Sequence, residues 1–149
     1  MERLRRLRAT GSIRAMVREN HVRADELIYP LFVREGAGEP VPVPSMPGVF
    51  QYAVDGLDGI IDRVAECGVR AVLLFGVPSE KDDVGSGAYD EKGVVPQAIR
   101  AIKARRPDML VIADVCLCEY TSHGHCGLVE DGRILNDETL PLLARSAVC

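Results

Sequence analysis

Met109-Leu110-Val111-Ile112-Ala113-Asp114-Val115-Cys116-Leu117-Cys118-Glu119-Tyr120-Thr121-Ser122-His123-Gly124-His125-Cys126-Gly127 joins an apolar run to a polar, cysteine-rich one. Its first five residues have the length and branching of a buried parallel strand. Side chains two apart on a strand point the same way, so Asp114, Cys116 and Cys118 are expected to converge where strand gives way to loop. The glycine-containing return can bring Cys126 back to meet them. The stretch holds three of the chain's five cysteines and two of its three histidines. Structural zinc sites are closed by four protein ligands, whereas catalytic sites supply three and keep one position open. Three thiols without an obvious fourth ligand therefore read as an open zinc site. A closed site, with His123 or His125 as fourth ligand, is the competing reading. Buried packing is a poor account of three cysteines set among polar and glycine positions.

Two more apolar runs precede this one, Leu27 to Val33 and Val69 to Val77, so strand starts recur near residues 27, 69 and 109. Pro30 requires a place in the first run where its nitrogen owes no ladder hydrogen bond. From Asp55, Leu57, Ile60, Ile61, Val64 and Ala65 recur at helical spacing, and Gly68 suits the residue past the helix end. Val94 to Arg105 forms the next helical pattern, with Val95, Ile99 and Ile102 facing inward and Pro107 beyond its end. Alternating strand and helix mark repeated parallel βα units, as an open doubly wound sheet or a closed eight-stranded barrel. Residues 34–49 and Pro78 to Asp90 read as loops. Asp131-Gly132 between short apolar runs signals a hairpin over Leu128 to Leu135. Asp137 opens a last helical pattern through Leu140, Leu142, Leu143 and Ala147. Near the start, a short helix after Gly11 is expected, with Ser12 as its N-cap.

The 149 residues include 22 acidic and 18 basic side chains, a net charge of -4, with 47% hydrophobic content. This is the balance of a soluble globular chain, and it argues mildly against nucleic acid as the main partner. No run approaches the roughly 18 apolar residues of a membrane span. Residues 1–23 carry seven arginines against two glutamates, a basic arm on an otherwise acidic chain. An odd number of cysteines with metal-like spacing argues for a reducing, cytoplasmic setting. Cys67 and Cys149 read as packing residues, His21 as a surface residue and Lys103 as part of a solvated helix face.

Asp114-Val115-Cys116-Leu117-Cys118-Glu119-Tyr120-Thr121-Ser122-His123-Gly124-His125-Cys126-Gly127 resembles the zinc-binding segment of the porphobilinogen synthase, or delta-aminolevulinic acid dehydratase, family. So do Leu27-Ile28-Tyr29-Pro30-Leu31-Phe32-Val33, Ser45-Met46-Pro47-Gly48-Val49, Leu74-Phe75-Gly76-Val77-Pro78, Gly85-Ser86-Gly87-Ala88 and Asn136-Asp137-Glu138-Thr139-Leu140 with other stretches of that family. The resemblance runs along the whole chain, which looks like the N-terminal half of such a protein. It implies a (β/α)8 TIM barrel, of which residues 27–149 form about the first three units, preceded by an arm over residues 1–26. It also implies a hydro-lyase that condenses two molecules of 5-aminolevulinate to porphobilinogen in tetrapyrrole synthesis. Cys116, Cys118 and Cys126 would bind Zn2+, and Asp114 would be the active-site aspartate or a carboxylate that hydrogen-bonds beside the ligands. The arm would wrap a neighbouring subunit of a homo-oligomer. The family's Schiff-base lysines lie on later strands, and none of Lys81, Lys92 and Lys103 takes their place. A zinc- or thiol-binding module without the nucleophile is the alternative function.

Overall fold

Ile13, half-buried, is the best-covered residue of the short helix in the arm of the computed structural model, which describes residues 4–149. The helical turn Arg6–Arg8 leads into α1 (Gly11–Met16), and a second turn, Ala24–Glu26, ends the arm. Thr10, not Ser12, caps α1: its hydroxyl accepts the Ile13 N–H at 3.2 Å. The helix starts two residues earlier than expected, and a capping residue must itself be extended, as Thr10 is, while Ser12 lies within the helix. The arm's first three residues lie outside the described part.

The strands that follow are β1 (Ile28–Arg34), β2 (Val41–Pro42) and β3 (Phe50–Ala53); next come α2 (Leu57–Glu66), β4 (Ala71–Val77), α3 (Val94–Arg105) and β5 (Leu110–Ala113). β6 (Leu128–Glu130) and β7 (Arg133–Leu135) make the hairpin, and α4 (Asn136–Val148) ends the chain. The main sheet has the order β2-β3-β1-β4-β5, parallel from β3 to β5, with β2 antiparallel at one edge. Register rows run Ile28–Ala71–Leu110 and Leu31–Leu74–Ala113, so the C-terminal ends of β1, β4 and β5 deliver their loops to one side. In the separate hairpin, Asp131 and Gly132 both have positive φ, 46° and 73°, as the Asp-Gly turn requires.

Helical periodicity becomes burial on one face of this sheet. Leu57, Ile60, Ile61 and Val64 of α2 and Val94, Ala98 and Ile102 of α3 pack on Leu31, Val33, Val72 and Leu74. Each such large apolar side chain contributes about 1.5–3 kcal/mol on leaving water. α3 is rotated slightly from expectation: Val94 and Ala98 are buried with Ile102, while Val95 and Ile99 are half-buried at the margin. Asp62 of α2 pairs with Arg105, and with Arg106 at 2.9 Å. Lys103 is exposed, as expected of a solvated helix face, and its amine also donates to the Met109 carbonyl at 2.6 Å, which ties the end of α3 to the start of β5.

The opposite face of the sheet is less covered. Phe32, Leu73, Phe75 and Ile112 are half-buried, and Ile28 and Leu110 are exposed. The buried strand expected at β5 is an edge strand here. The loop expected over residues 34–49 contains β2, and β3 follows it directly. That strand, Phe50-Gln51-Tyr52-Ala53, is too short for its pattern to stand out from the preceding loop and is held by pairing to β1. Gly68, at φ 83°, follows α2 as expected. Cys67 and Cys149 are exposed, not packed, since both sit just past helix ends. His21 is exposed as expected. No helix among the described residues is long and apolar enough to cross a membrane.

Candidate metal centre

β5 ends at Ala113, yet the Asp114 N–H still donates to the Leu74 carbonyl at 3.1 Å. Asp114 thus extends the ladder by one residue, and Cys116 and Cys118 lie in the loop beyond it. Their convergence comes from a turn and not from strand alternation: the N–H groups of Tyr120 and Thr121 both donate to the Leu117 carbonyl at 2.9 Å. Leu117, between the two cysteines, is fully buried and anchors that turn.

Cys116 is the hub of the thiols, 3.1 Å from Cys118 and 2.9 Å from Cys126, Sγ to Sγ. Cys126 joins the group through Cys116. Glu119 is an addition to the residues expected: its carboxylate lies 3.3 Å from Cys118 Sγ, and Cys116, Cys118 and Glu119 form a tight group of three candidate ligands. Only its adjacency to Cys118 could have signalled this. Sulfurs around one tetrahedral zinc stand about 3.8 Å apart, so these thiols would have to spread by roughly 1 Å. The donor set fits a thiophilic divalent ion.

Electrostatics point the same way. Burial, followed by hydrogen bonds from Cys126 and Cys118, pushes the Cys116 thiol well above its ordinary value. For Cys118, the Cys116 hydrogen bond pulls downward but is outweighed by burial and by Glu119 and Cys126. Burial and then Glu119 also raise Asp114. Tyr120 is pushed up to about 12, by burial first and then by the charges of Glu119, Asp114 and Glu35. Among the described residues no basic group figures in these shifts, and a divalent cation would supply the positive charge that ionised thiols need.

The histidines stand apart from the thiols. His123 accepts the His125 N–H on Nδ1 at 3.1 Å, which leaves Nε2 to donate to the Asp83 carbonyl at 3.2 Å. It therefore stabilises the loop. His125 stacks on His123 with ring centroids 5.6 Å apart. Neither they nor Cys126 belong to the tight group of Cys116, Cys118 and Glu119 among the described residues; Cys126 differs from the histidines in touching Cys116 directly.

Tyr120 lies against Gly76 of β4, where any Cβ would collide with its hydroxyl and come within 2.9 Å of Val95 Cγ2. Gly76 thus lets the loop approach the sheet. Tyr120 and Asp114 share a cavity of about 280 Å3 with Val95, Ile99 and Ser146, beside the free edge of β5. Lys81 is exposed beside Glu80, Asp82 and Asp83.

Residues 1–149 match the family described as delta-aminolevulinic acid dehydratase. The delta-aminolevulinic acid dehydratase of Halalkalibacterium halodurans is 57% identical over 147 residues, which are 99% of this chain and 45% of that protein. That of Staphylococcus aureus is 47% identical over 149 residues, 99% of this chain and 46% of its own length. A crystal structure of the delta-aminolevulinic acid dehydratase (porphobilinogen synthase) from Toxoplasma gondii ME49, in complex with its reaction product porphobilinogen, superposes with a TM-score of 0.92 at 37% identity. That match covers 99% of this chain and 43% of the other. The fold is accordingly that of a TIM-barrel segment, and the chain spans under half the length of the relatives it matches.

Proposed function

The chain belongs to the delta-aminolevulinic acid dehydratase family, and on that premise we propose that it supplies the metal-binding part of a porphobilinogen synthase. In this reading Cys116, Cys118 and Cys126 hold one zinc ion, and two 5-aminolevulinate molecules condense to porphobilinogen with loss of two waters. The observation that carries it is the convergence of the three thiols on Cys116 at the C-terminal end of a barrel strand, the end where such barrels place their chemistry. When bound, zinc polarises a carbonyl and acidifies a water. Asp114, whose proton affinity is raised, exchanges a proton with substrate beside the ion. Leu117 and Tyr120 keep the loop seated on the sheet while this happens. The basic arm docks on the acidic surface of another subunit, and the free thiols suit a reducing, cytoplasmic setting.

Cobalt substitution tests the metal assignment. The chain should show intense thiolate-to-cobalt absorption that shifts when an exogenous ligand is added. Cys116→Ser, Cys118→Ser and Cys126→Ser should each weaken binding by more than about 100-fold, beyond the range of residues that only touch ligands. Absorption indifferent to exogenous ligand, and altered by His123→Ala or His125→Ala, would refute the open site.

A zinc- or thiol-binding module without the condensation chemistry is favoured by one observation: the chain's three lysines include none in an apolar strand end. Borohydride reduction with 5-aminolevulinate should leave this chain unlabelled by mass spectrometry. Labelling should appear on the lysines of an added polypeptide carrying the family's remaining strands. Failure of that mixture to label at all would favour the module.

A further inference from the structure

We propose that Asp82 is a positioning residue for the thiol cluster: its carboxylate folds the 82–86 turn on which the cysteine loop is seated. The inference rests on the metal reading above and adds a residue 34 positions before the first thiol of the cluster.

The Asp82 side chain is committed inside its own loop. Oδ1 accepts the N–H groups of Val84 and Ser86, both at 3.0 Å, and the Ser86 hydroxyl donates to Oδ2. These bonds, with that hydroxyl foremost, hold the carboxyl below its ordinary range, so it stays an acceptor. The turn they close puts Gly85 in the left-handed region at φ 63° and buries it. A Cβ there would meet Thr121 Cγ2 at 3.2 Å and Leu117 Cβ at 3.6 Å, so the turn is the floor beneath those two buried residues.

Backbone bonds then join the two loops. Asp82 N–H donates to the Tyr120 carbonyl at 3.3 Å, and Ser122 N–H donates to the Asp82 carbonyl at 2.7 Å. This one-residue parallel bridge, Asp82 with Thr121, continues the β4–β5 pairing past the end of the sheet. Asp83 accepts from His123, and the Thr121 hydroxyl donates to the His125 carbonyl at 2.9 Å, directing the chain toward Cys126. The neighbouring tie, Ser79 N–H to Glu35 at 3.0 Å, secures the end of β1 instead and does not touch the cysteine loop.

Thiols on irregular chain need such support, because sites on loops are held less precisely than sites on helices or strands and fail when their supporting contacts are loose. Asp82→Ala removes all three side-chain bonds, whereas the amide oxygen of Asp82→Asn can still accept both N–H groups. In the full 149-residue chain, Asp82→Ala should weaken cobalt binding by about 10-fold or more while Asp82→Asn stays within about 3-fold of the parent. In the metal-free protein, hydrogen exchange at the Ser122 amide should accelerate about 10-fold or more in Asp82→Ala alone. Should that variant not fold, Ser86→Ala removes a single side-chain bond and should weaken cobalt binding about 10-fold. Parent-level affinity and exchange in Asp82→Ala, or in Ser86→Ala if it must stand in, overturn the proposal. A parent chain without thiolate-to-cobalt absorption overturns the metal reading, and Ser122 exchange then judges the clasp by itself.

Discussion

The two faces of the central sheet are built from the same kinds of residue and stand in opposite surroundings. Toward α2 and α3, Leu31, Val33, Val72 and Leu74 are at most 1% exposed. On the other side, Ile28 and Leu110 are 52% and 57% exposed, and Phe32 and Phe75 lie half-buried with ring centroids 5.5 Å apart. Apolar strands record a capacity for burial on both faces; whether it is realised depends on what covers them. Relatives at 47–57% identity carry more than as much chain again. The cysteine loop is fastened to the sheet through Tyr120 at Gly76, and Asp114 continues the register of Leu110 and Ile112.

Adjacent residues on β4 give the largest test of this contrast. Leu74→Ala should cost about 2–5 kcal/mol in urea unfolding, as buried leucines do. Phe75→Ala, despite the larger side chain, should cost under about 2 kcal/mol, because part of its surface already meets water. Equal losses would show that the second face is covered in solution, and their dependence on protein concentration would show whether a second copy covers it.

Two glycine substitutions sharpen the comparison at a smaller scale. Gly76→Ala drives a methyl into Tyr120 and Val95 and should destabilise by about 1–3 kcal/mol. It should also change Tyr120 fluorescence, since the ring has to move. Gly59→Ala on the outer side of α2 meets open space and should stabilise by up to about 1 kcal/mol.

The smallest effect is a pH dependence of opposite sign at two carboxylates. Arg105, through its hydrogen bond, is the main cause holding Asp62 below its ordinary range. The stability this adds is complete above the ordinary carboxylate pKa and is lost as pH falls through the lowered value. Asp114 is raised by burial and Glu119, so its ionisation opposes folding as pH climbs through the ordinary range. Urea midpoints from about pH 3 to 7 should therefore fall less on acidification in Asp62→Asn. Asp114→Asn should be relatively more stable at the upper end.

Periodicity was enough for the main elements. Leu57, Ile60, Ile61 and Val64 announced α2, the span Val94 to Arg105 is α3 to the residue, and Asp131-Gly132 announced the hairpin. β3 is silent in the sequence because a run of only four residues acquires strand geometry when β1 is present to pair with it. The site was legible as a set of residue types, since three thiols within eleven positions are denser than core packing requires. Its geometry was not. Strand alternation suggested how Cys116 and Cys118 meet, but a turn anchored by buried Leu117 is what brings them together. Glu119 and Asp82 carry no signal of their own, as acidic residues in polar loops are ordinarily solvated.

By itself, the amino-acid sequence determined the βα order, the buried face of α2 and the chemistry of the thiol cluster, because these depend on residue type and on spacing within a single element. Only the tertiary structure decided that Cys116 is the hub, that His123 serves the loop, and that Gly76 and Gly85 make room for it. The last two depend on contacts between segments 30 to 50 residues apart, and loop closure at that range leaves no local pattern, since its cost varies only with the logarithm of the separation.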